Sequence, residues 1–406
     1  MRSRILILVL LMAHLPLMAQ DASERLFRFG YREDEQYRIV GVNRQQLFVN
    51  GEQQGQSEIL TRIRLRIGAP GERAGREGAP ITAAYRVSEE VTGATEPFSV
   101  DRDYSVALWQ DLRGRQDVPR GSFVPQVRDI PSFPEEPVAV GESWTLPALE
   151  VYDFRDGLGI EEPVAVPVDV TYEYLGPREF EGEEFDALRI RYALFYRPAP
   201  GRPEAEHFRV MTARFEQDLL WDPVAGRAHY YEESYNLFIQ TTEGARLEYR
   251  GNADGRVVGA PELDRDDVRR SIEESIEAEA VPNATVREDE EGVTIALEDI
   301  RFAPDSAELL PSELPKLEWL ADILGRYPER DIMVTGHTAL AGTAAGRQQL
   351  SEERAAAVGS WLIERGVRER SRLMFRGRGA REPVADNSSR EGRARNRRVE
   401  ITILEN

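Results

Sequence analysis

Between Glu58 and Ile67 the chain reads EILTRIRLRI, in which Ile63, Leu65 and Ile67 alternate with Arg62, Arg64 and Arg66. A period of two puts alternate side chains on opposite faces of an extended strand, so this stretch buries its aliphatic face and is expected to turn its arginines to water. Similar stretches recur from about Leu26 to Val258: QYRIVGVN, QQLFVNGEQQG, AAYRVSEEV, VPVDVTYEYLG, DALRIRYALFY, HFRVMTARFEQDLLWD, AHYYEESYNLFIQT and RLEYRG. Turn chemistry such as Asn50-Gly51, Asp222-Pro223 and Glu243-Gly244 separates them. Residues 20–258 are therefore expected to form a mainly antiparallel β domain, with Trp144 and Trp221 as packing anchors.

Alternation alone also permits a membrane-spanning barrel. Such a barrel needs a lipid-facing apolar band of about 9 to 11 residues per strand with aromatic girdles. The strands read here as short and interrupted. The run Gly121 to Pro137 holds four prolines, each of which removes a ladder donor. A water-facing β domain is the favoured reading.

The pattern changes after residue 258. In PELDRDDVRRSIEESIEAEA, Val268, Ile272 and Ile276 recur every four residues amid dense charge, so 259–291 is expected to be an acidic helical linker. Residues 292–406 mix strands and helices, an α+β pattern. A helix is expected over Pro311–Arg326, a strand, polar loop and helix over Asp331–Val358, and further strands at RLMFRG and RRVEITI. The long helix should begin near Thr343 and stop at Gly366, a residue that enters the left-handed region past a helix end at no steric cost.

Within that helix, Leu350, Ala357, Val358 and Trp361 define an apolar arc at 100° per residue, and Arg354 falls in the middle of it. A guanidinium survives there if it is paired with an internal carboxylate, if it binds an anion, or if its stem packs while its head reaches out. All three readings remain open at this level.

The pieces GHT (336–338), LSEERA (350–355), GRG (377–379), the P-x-x-D-N step at 383–387 and GRARNRRVEI (392–401) occur in one order, preceded by VTIALEDIRFAPDSAEL. Together they resemble the OmpA-like C-terminal domain over about residues 293–403. The resemblance implies a periplasmic domain of helices against a small mixed sheet that grips the diamino acid of the peptidoglycan stem peptide. It implies Arg354, Asn396, Arg397 and Thr338 as wall-binding residues, with Arg354 taking the remote carboxylate. The family's amine-binding aspartate falls on Ala339, and the asparagine usual before the LS pair falls on Arg347. His337 is implied to be structural.

Residues 1–19 read as a secretory signal: Arg2 and Arg4, an apolar segment, then Leu17-Met18-Ala19 before Gln20. The chain has no cysteine, so neither a lipidated cysteine nor a disulfide framework is available. Net charge is −20, but between Glu364 and Arg398 twelve arginines face five acids. Export and the NRRVEI context favour wall polymer or internal salt bridges over nucleic acid as the partner of that basic run. His14, His207, His229 and His337 have no metal-ligand spacing, and no G-x-S-x-G elbow occurs, so no cofactor and no enzymatic activity is expected. The favoured function is a non-enzymatic envelope protein, in the periplasm and associated with the outer membrane, that binds peptidoglycan weakly and has an outer-membrane or periplasmic protein partner. The alternatives are an OmpA-like fold serving as a protein-interaction module, or an integral outer-membrane barrel.

Overall fold

The structure is a computed structural model in which residues 24–91, 98–99, 102–259, 263–289, 291–303 and 306–405 are described. The expected export signal and the bond before Gln20 lie outside the described residues, as do Pro304 and Asp305 of the FAPDSAEL turn.

Ten long antiparallel strands build the N-terminal domain: β1 (Gln36–Val49), β2 (Glu52–Ile67), β3 (Arg76–Val91), β4 (Arg102–Asp111), β5 (Ser143–Tyr152), β6 (Val164–Phe180), β7 (Glu183–Tyr196), β8 (Phe208–Asp222), β9 (Arg227–Thr241) and β10 (Arg246–Gly259). Their order in the sheet is β4-β3-β2-β1-β10-β9-β8-β7-β6-β5. The strands are longer than the sequence suggested: β2 and β3 have 16 residues and β6 has 17. QYRIVGVN and the start of QQLFVNGEQQG are one strand. Polar Asn43 and Gln45 interrupt its apolar face without ending it, because the Asn43 amide donates to Tyr235 Oη (2.9 Å) and the Gln45 amide to Ser57 Oγ (3.1 Å).

The sheet curls until its edge strands meet. Tyr104 of β4 donates to Asp153 Oδ2, just beyond β5, at 2.7 Å. The proline-rich run sits along this seam instead of breaking a strand. Gln116–Asp117 pairs with β4, Val127–Arg128 pairs with β5, and the Gln116 amide donates to Asp129 Oδ1 at 2.6 Å.

Inside, the alternate residues Val164, Val166, Val168, Val170, Tyr172 and Tyr174 of β6 are all buried, against Leu188 and Ile190 of β7. Trp221 closes this core between Phe133 and Phe29, with ring centroids 4.7 and 4.9 Å away, and Trp144 stacks on Tyr172 at 5.3 Å. Both tryptophans are packing anchors, as expected. The outward face of β6 to β9 exposes Asp169, Arg191, Arg214, Glu216 and Glu232. An arginine at a bilayer midplane costs about 2 to 4 kcal/mol, so this charged face suits water and not lipid. Among the described residues, no helix is long and apolar enough to cross a membrane.

The C-terminal domain comprises α1 (Arg265–Ala278), β11 (Ala284–Asp289), β12 (Gly292–Glu298), α2 (Leu314–Gly325), β13 (Ile332–Gly336), α3 (Ala344–Glu364), β14 (Leu373–Gly377), α4 (Arg390–Asn396) and β15 (Arg398–Leu404). Its sheet runs β11-β12-β15-β13-β14, antiparallel except for the β13/β14 pair. Phe98–Ser99, from the connection between β3 and β4, adds in parallel to the β14 edge. It is an α+β domain with helices packed on a mixed sheet, and α3 starts and stops at the expected residues.

One open reading is resolved and one expectation is corrected. The helix of the acidic segment 259–291 docks on the C-terminal domain. Val268 and Ile272 are buried in the C-terminal core, Ser275 Oγ accepts from Trp319 Nε1 at 3.0 Å, and β11 pairs with β12. A narrow stripe with one apolar residue per turn suffices to dock a helix whose other faces stay in water. The arginine face of β2 is wet at Arg66 but not at Arg62. Arg62 and the neighbouring Arg38 are buried, because the C-terminal domain covers them. Arg38 Nη1 reaches Asp331 Oδ2 at 2.7 Å, Arg86 Nη2 reaches Glu291 Oε1 at 2.6 Å, and Arg62 donates to the Ser371 carbonyl. Period two distinguishes the faces of a strand, but not water from a charged partner domain.

Candidate functional site

Asp331 and Ser371 lie at the start of β13 and β14, so the β domain covers one end of the C-terminal sheet. The residues singled out from sequence gather at the other end. There β12 finishes at Glu298, opposite Arg398 where β15 begins, and Gly336 at the end of β13 stands between Val399 and Gly377. The loops after β12, β13 and β14 therefore converge. Gly336 is required by close approach: a Cβ there would lie 2.0 Å from the Ser351 carbonyl oxygen of α3. The start of α3 is thereby held against this strand end, its first turn capped by Thr343 Oγ1 accepting from the Gly346 amide at 3.1 Å.

Thr338 is buried, its amide donating to the Gly379 carbonyl at 2.8 Å, and its Oγ1 has no hydrogen-bond partner. Ala339, beside it, is 7% exposed and brings no acceptor to the place where the resemblance implies one. The next residue, Leu340, is 58% exposed while its amide donates to Asn387 Oδ1 at 2.9 Å. Val384, also exposed, belongs to the neighbouring loop. Together they give the site an apolar rim. No feature of the sequence announced it, because an exposed leucine differs from a buried one only in the fold.

Arg354 is half-buried and lies beside the apolar arc, not in its middle. The side of α3 that enters the core is Ser351, Ala355, Val358 and Leu362. Leu350 and Trp361 are only partly covered, so an arc centred on them was displaced. The Arg354 guanidinium lies over the Phe302 ring, 4.8 Å from its centroid, and Nε donates to the Ser306 carbonyl at 3.3 Å. Packing on an aromatic face keeps the charge at a partly solvated position where Coulomb attraction to an anion is still strong.

The other candidates have distinct surroundings. Asn396 is 1% exposed, and its amide is committed to the 384–385 backbone: Oδ1 accepts from Val384 and Ala385 at 2.8 and 3.0 Å, and Nδ2 donates to the Ala385 carbonyl at 2.8 Å. It shapes the loop. Arg397 donates to Asp299 Oδ1 at 3.4 Å, and Arg347 folds back on the Gly342 carbonyl at 2.5 Å.

His337 is sealed beneath the site, with Nε2 3.5 Å from Glu400 Oε2. Burial lowers its pKa, so it is neutral at physiological pH and cannot serve as a surface cation. Glu400 also accepts from Arg398 Nε at 2.7 Å and from both Arg287 Nη atoms at 3.1 and 2.9 Å. Burial opposes ionisation of this carboxyl, but the neighbouring His337 and the bonds from Arg287 outweigh burial and hold it well below the usual carboxylate range. Among the described residues, no group of three or more His, Asp or Glu side chains could hold a metal ion. The arrangement brings the Arg354 guanidinium and an apolar rim to one end of the sheet.

Residues 301–397 match the OmpA family model. The chain is 40% identical over 105 residues to outer membrane porin F of Pseudomonas aeruginosa, covering 26% of this chain and 30% of that protein. Over 104 residues it is 36% identical to the peptidoglycan-binding protein ArfA of Mycobacterium tuberculosis, covering 26% of this chain and 32% of that one. The solved cell wall anchor of the T6SS from Pseudomonas aeruginosa is 33% identical, with a TM-score of 0.30, and covers 35% of this chain and 100% of its own. This chain thus spans about a third of the two curated relatives, and the matched part lies in its C-terminal domain.

Proposed function

We propose that this chain, whose C-terminal domain is an OmpA-like domain, is a non-enzymatic protein of the cell envelope that holds peptidoglycan at the loop-bearing end of that domain's sheet. The observation that carries the reading is Arg354, held at that end over Phe302 with its charge within reach of water. Relatives of the same domain include a protein named for peptidoglycan binding, which supports wall polymer as the ligand. The apparent export signal at residues 1–19 supports a periplasmic location next to the outer membrane.

Binding is weak in this reading. An aspartate at position 339 would make a charge-assisted bond to the stem-peptide ammonium worth about 1.5 to 3 kcal/mol, or roughly 10- to 100-fold in affinity. Ala339 forgoes it, and Arg347 adds a like charge to the same loop.

The test is a pull-down of the full chain on purified sacculi. The wild type should be retained weakly, Arg354→Leu should abolish retention with the fold intact, and Ala339→Asp combined with Arg347→Asn should strengthen it by about 10- to 100-fold. Retention of Arg354→Leu equal to wild type, or no gain in the double variant, would favour an OmpA-like domain used for protein contacts instead.

A further inference from the structure

The interior of the β domain holds a second cluster, unconnected with the wall site. Of the five buried carboxylates in this domain among the described residues, four stand against an arginine: Asp186 with Arg25 (2.8 Å), Asp111 with Arg115 (2.6 Å), Glu204 with Arg202 (3.1 Å) and Glu248 with Arg250 (2.6 Å). The fifth is Glu150, on the inner face of β5, 4% exposed. Its only hydrogen bond comes from Tyr192 Oη at 2.5 Å. The Tyr152 hydroxyl stands beside the same carboxyl, sealed from solvent and without a hydrogen-bond partner.

Glu233, on the inner face of β9 two residues from Tyr235, feels the charge of Glu150 and has no cation or hydrogen-bond donor against it among the described residues. Burial lifts Glu150 to about 7 and Glu233 to about 8, and the proximity of Glu150 adds to the rise at Glu233. Two carboxyls with no counter-charge thus share one interior, where an ionised group is stable only if a cation joins it.

The walls around them are aromatic. Tyr192, Phe215 and Tyr235 stack across β7, β8 and β9, with centroids 4.6 and 5.7 Å apart. Gly251 and Gly255 of β10 let the Tyr235 and Tyr231 rings lie flat on the backbone, where a Cβ would meet them at 2.2 and 2.3 Å. Glu233, Tyr235, Asn43, Gln45 and Ser57 point inward yet keep partial solvent access, and at the rim Ser57 donates to exposed Glu89 at 2.9 Å. The water-facing end of this interior is thus lined by hydrogen-bond acceptors. Among the described residues no three carboxylate or imidazole groups come together in a way that could hold a metal ion, and the stacked rings suit a polarisable organic cation.

We propose that the interior of the β domain binds a small organic ammonium ion between Glu150 and Glu233, with the ladder of Tyr192, Phe215 and Tyr235 as its aromatic wall. The groups facing the pair are Tyr152, Tyr192, Tyr231 and Tyr235, with Glu89 at the rim. Burial raises each of these tyrosines, to about 12 for Tyr231 and Tyr235 and well above the usual phenol value for the other two, so near neutral pH Glu150 and Glu233 titrate and these tyrosines do not.

The experiment titrates the full chain calorimetrically with tetramethylammonium and with n-butylammonium. It is run at about 0.15 M salt, which screens weak binding to an acidic surface beyond a Debye length of about 8 Å. The expected result is saturable 1:1 binding at pH 8.5 that weakens at least about tenfold at pH 6. A similar weakening is expected in Glu150→Gln and in Glu233→Gln, whose amides mimic the neutral acid and preserve the fold by circular dichroism. No saturable heat with either ion at pH 8.5 overturns the proposal. So does unchanged affinity in both folded Gln variants, which would place the ion on the acidic exterior.

Discussion

Two carboxylates inside the β domain are treated in the opposite way to those at the core and contact of the C-terminal domain. Asp331, at the domain contact, is gripped by Arg38 (2.7 Å), Arg372 (3.0 Å) and Arg62 (3.7 Å), and Glu400 by Arg398 and Arg287. Inside the β domain, Glu150 and Glu233 have tyrosines and each other. Burial opposes charge in both places. For Glu400 the neighbouring His337 and the bonds from Arg287, and for Glu291 the charges of Arg86 and Arg376, outweigh burial and lower the pKa; for Glu150 and Glu233 burial prevails and raises it. Partner chemistry, not depth, decides whether a buried acid is a structural ion or a neutral group that a ligand could ionise.

The largest effect that could break this contrast is at Glu400. Glu400→Ala leaves Arg398, itself 4% exposed, without its carboxylate, and should cost the C-terminal domain about 3 to 5 kcal/mol. Urea unfolding followed by Trp319 and Trp361 fluorescence would show it; a loss under about 1 kcal/mol would mean that the arginines find water.

A smaller loss is expected at the domain contact. Asp331→Asn removes the charge shared by Arg38, Arg62 and Arg372 while keeping an acceptor, and should weaken the contact by about 1.5 to 3 kcal/mol. In scanning calorimetry the two domains should then melt more independently. An unchanged thermogram would assign the contact to packing and to the Phe98–Ser99 pairing at the β14 edge.

The smallest effect sharpens the comparison through pH. The folded pKa of Glu150 lies above its unfolded value, so between about 4.5 and 7 the folded chain binds more protons, and stability is lost as pH rises through that window. Glu150→Gln should therefore match wild type near pH 4 and exceed it at pH 8 by on the order of 1 to 3 kcal/mol. Glu400 runs the other way: its contribution is present above the unfolded pKa and lost as pH falls towards its lowered folded value. A Glu150→Gln variant less stable than wild type at pH 8 would mean that a cation already occupies the interior.

Particular residues mark how far the sequence could be read. The α3 boundaries followed from Thr343 and Gly366 because capping chemistry is local. The order of GHT, LSEERA and NRRVEI identified the C-terminal domain because loops that build one end of a sheet need specific residues. Other features were illegible. QYRIVGVN and QQLFVNGEQQG read as separate stretches, when Asn43 and Gln45 between their apolar residues are polar members of the curled sheet's interior. Arg62 and Arg64 looked solvated, since their partners lie some 300 residues away. Arg354 was placed one notch too far into the core of α3, because an apolar arc computed from one helix ignores which neighbour it packs against.

By itself the sequence determined the elements and the two-domain division, since alternation, caps and turns act over a few residues and their free energies are set by adjacent side chains. The tertiary structure alone decided which polar face met water, which met a partner domain and which enclosed an interior. Those outcomes depend on desolvation and on the charge at the opposing surface, and neither is encoded near the residue that experiences it.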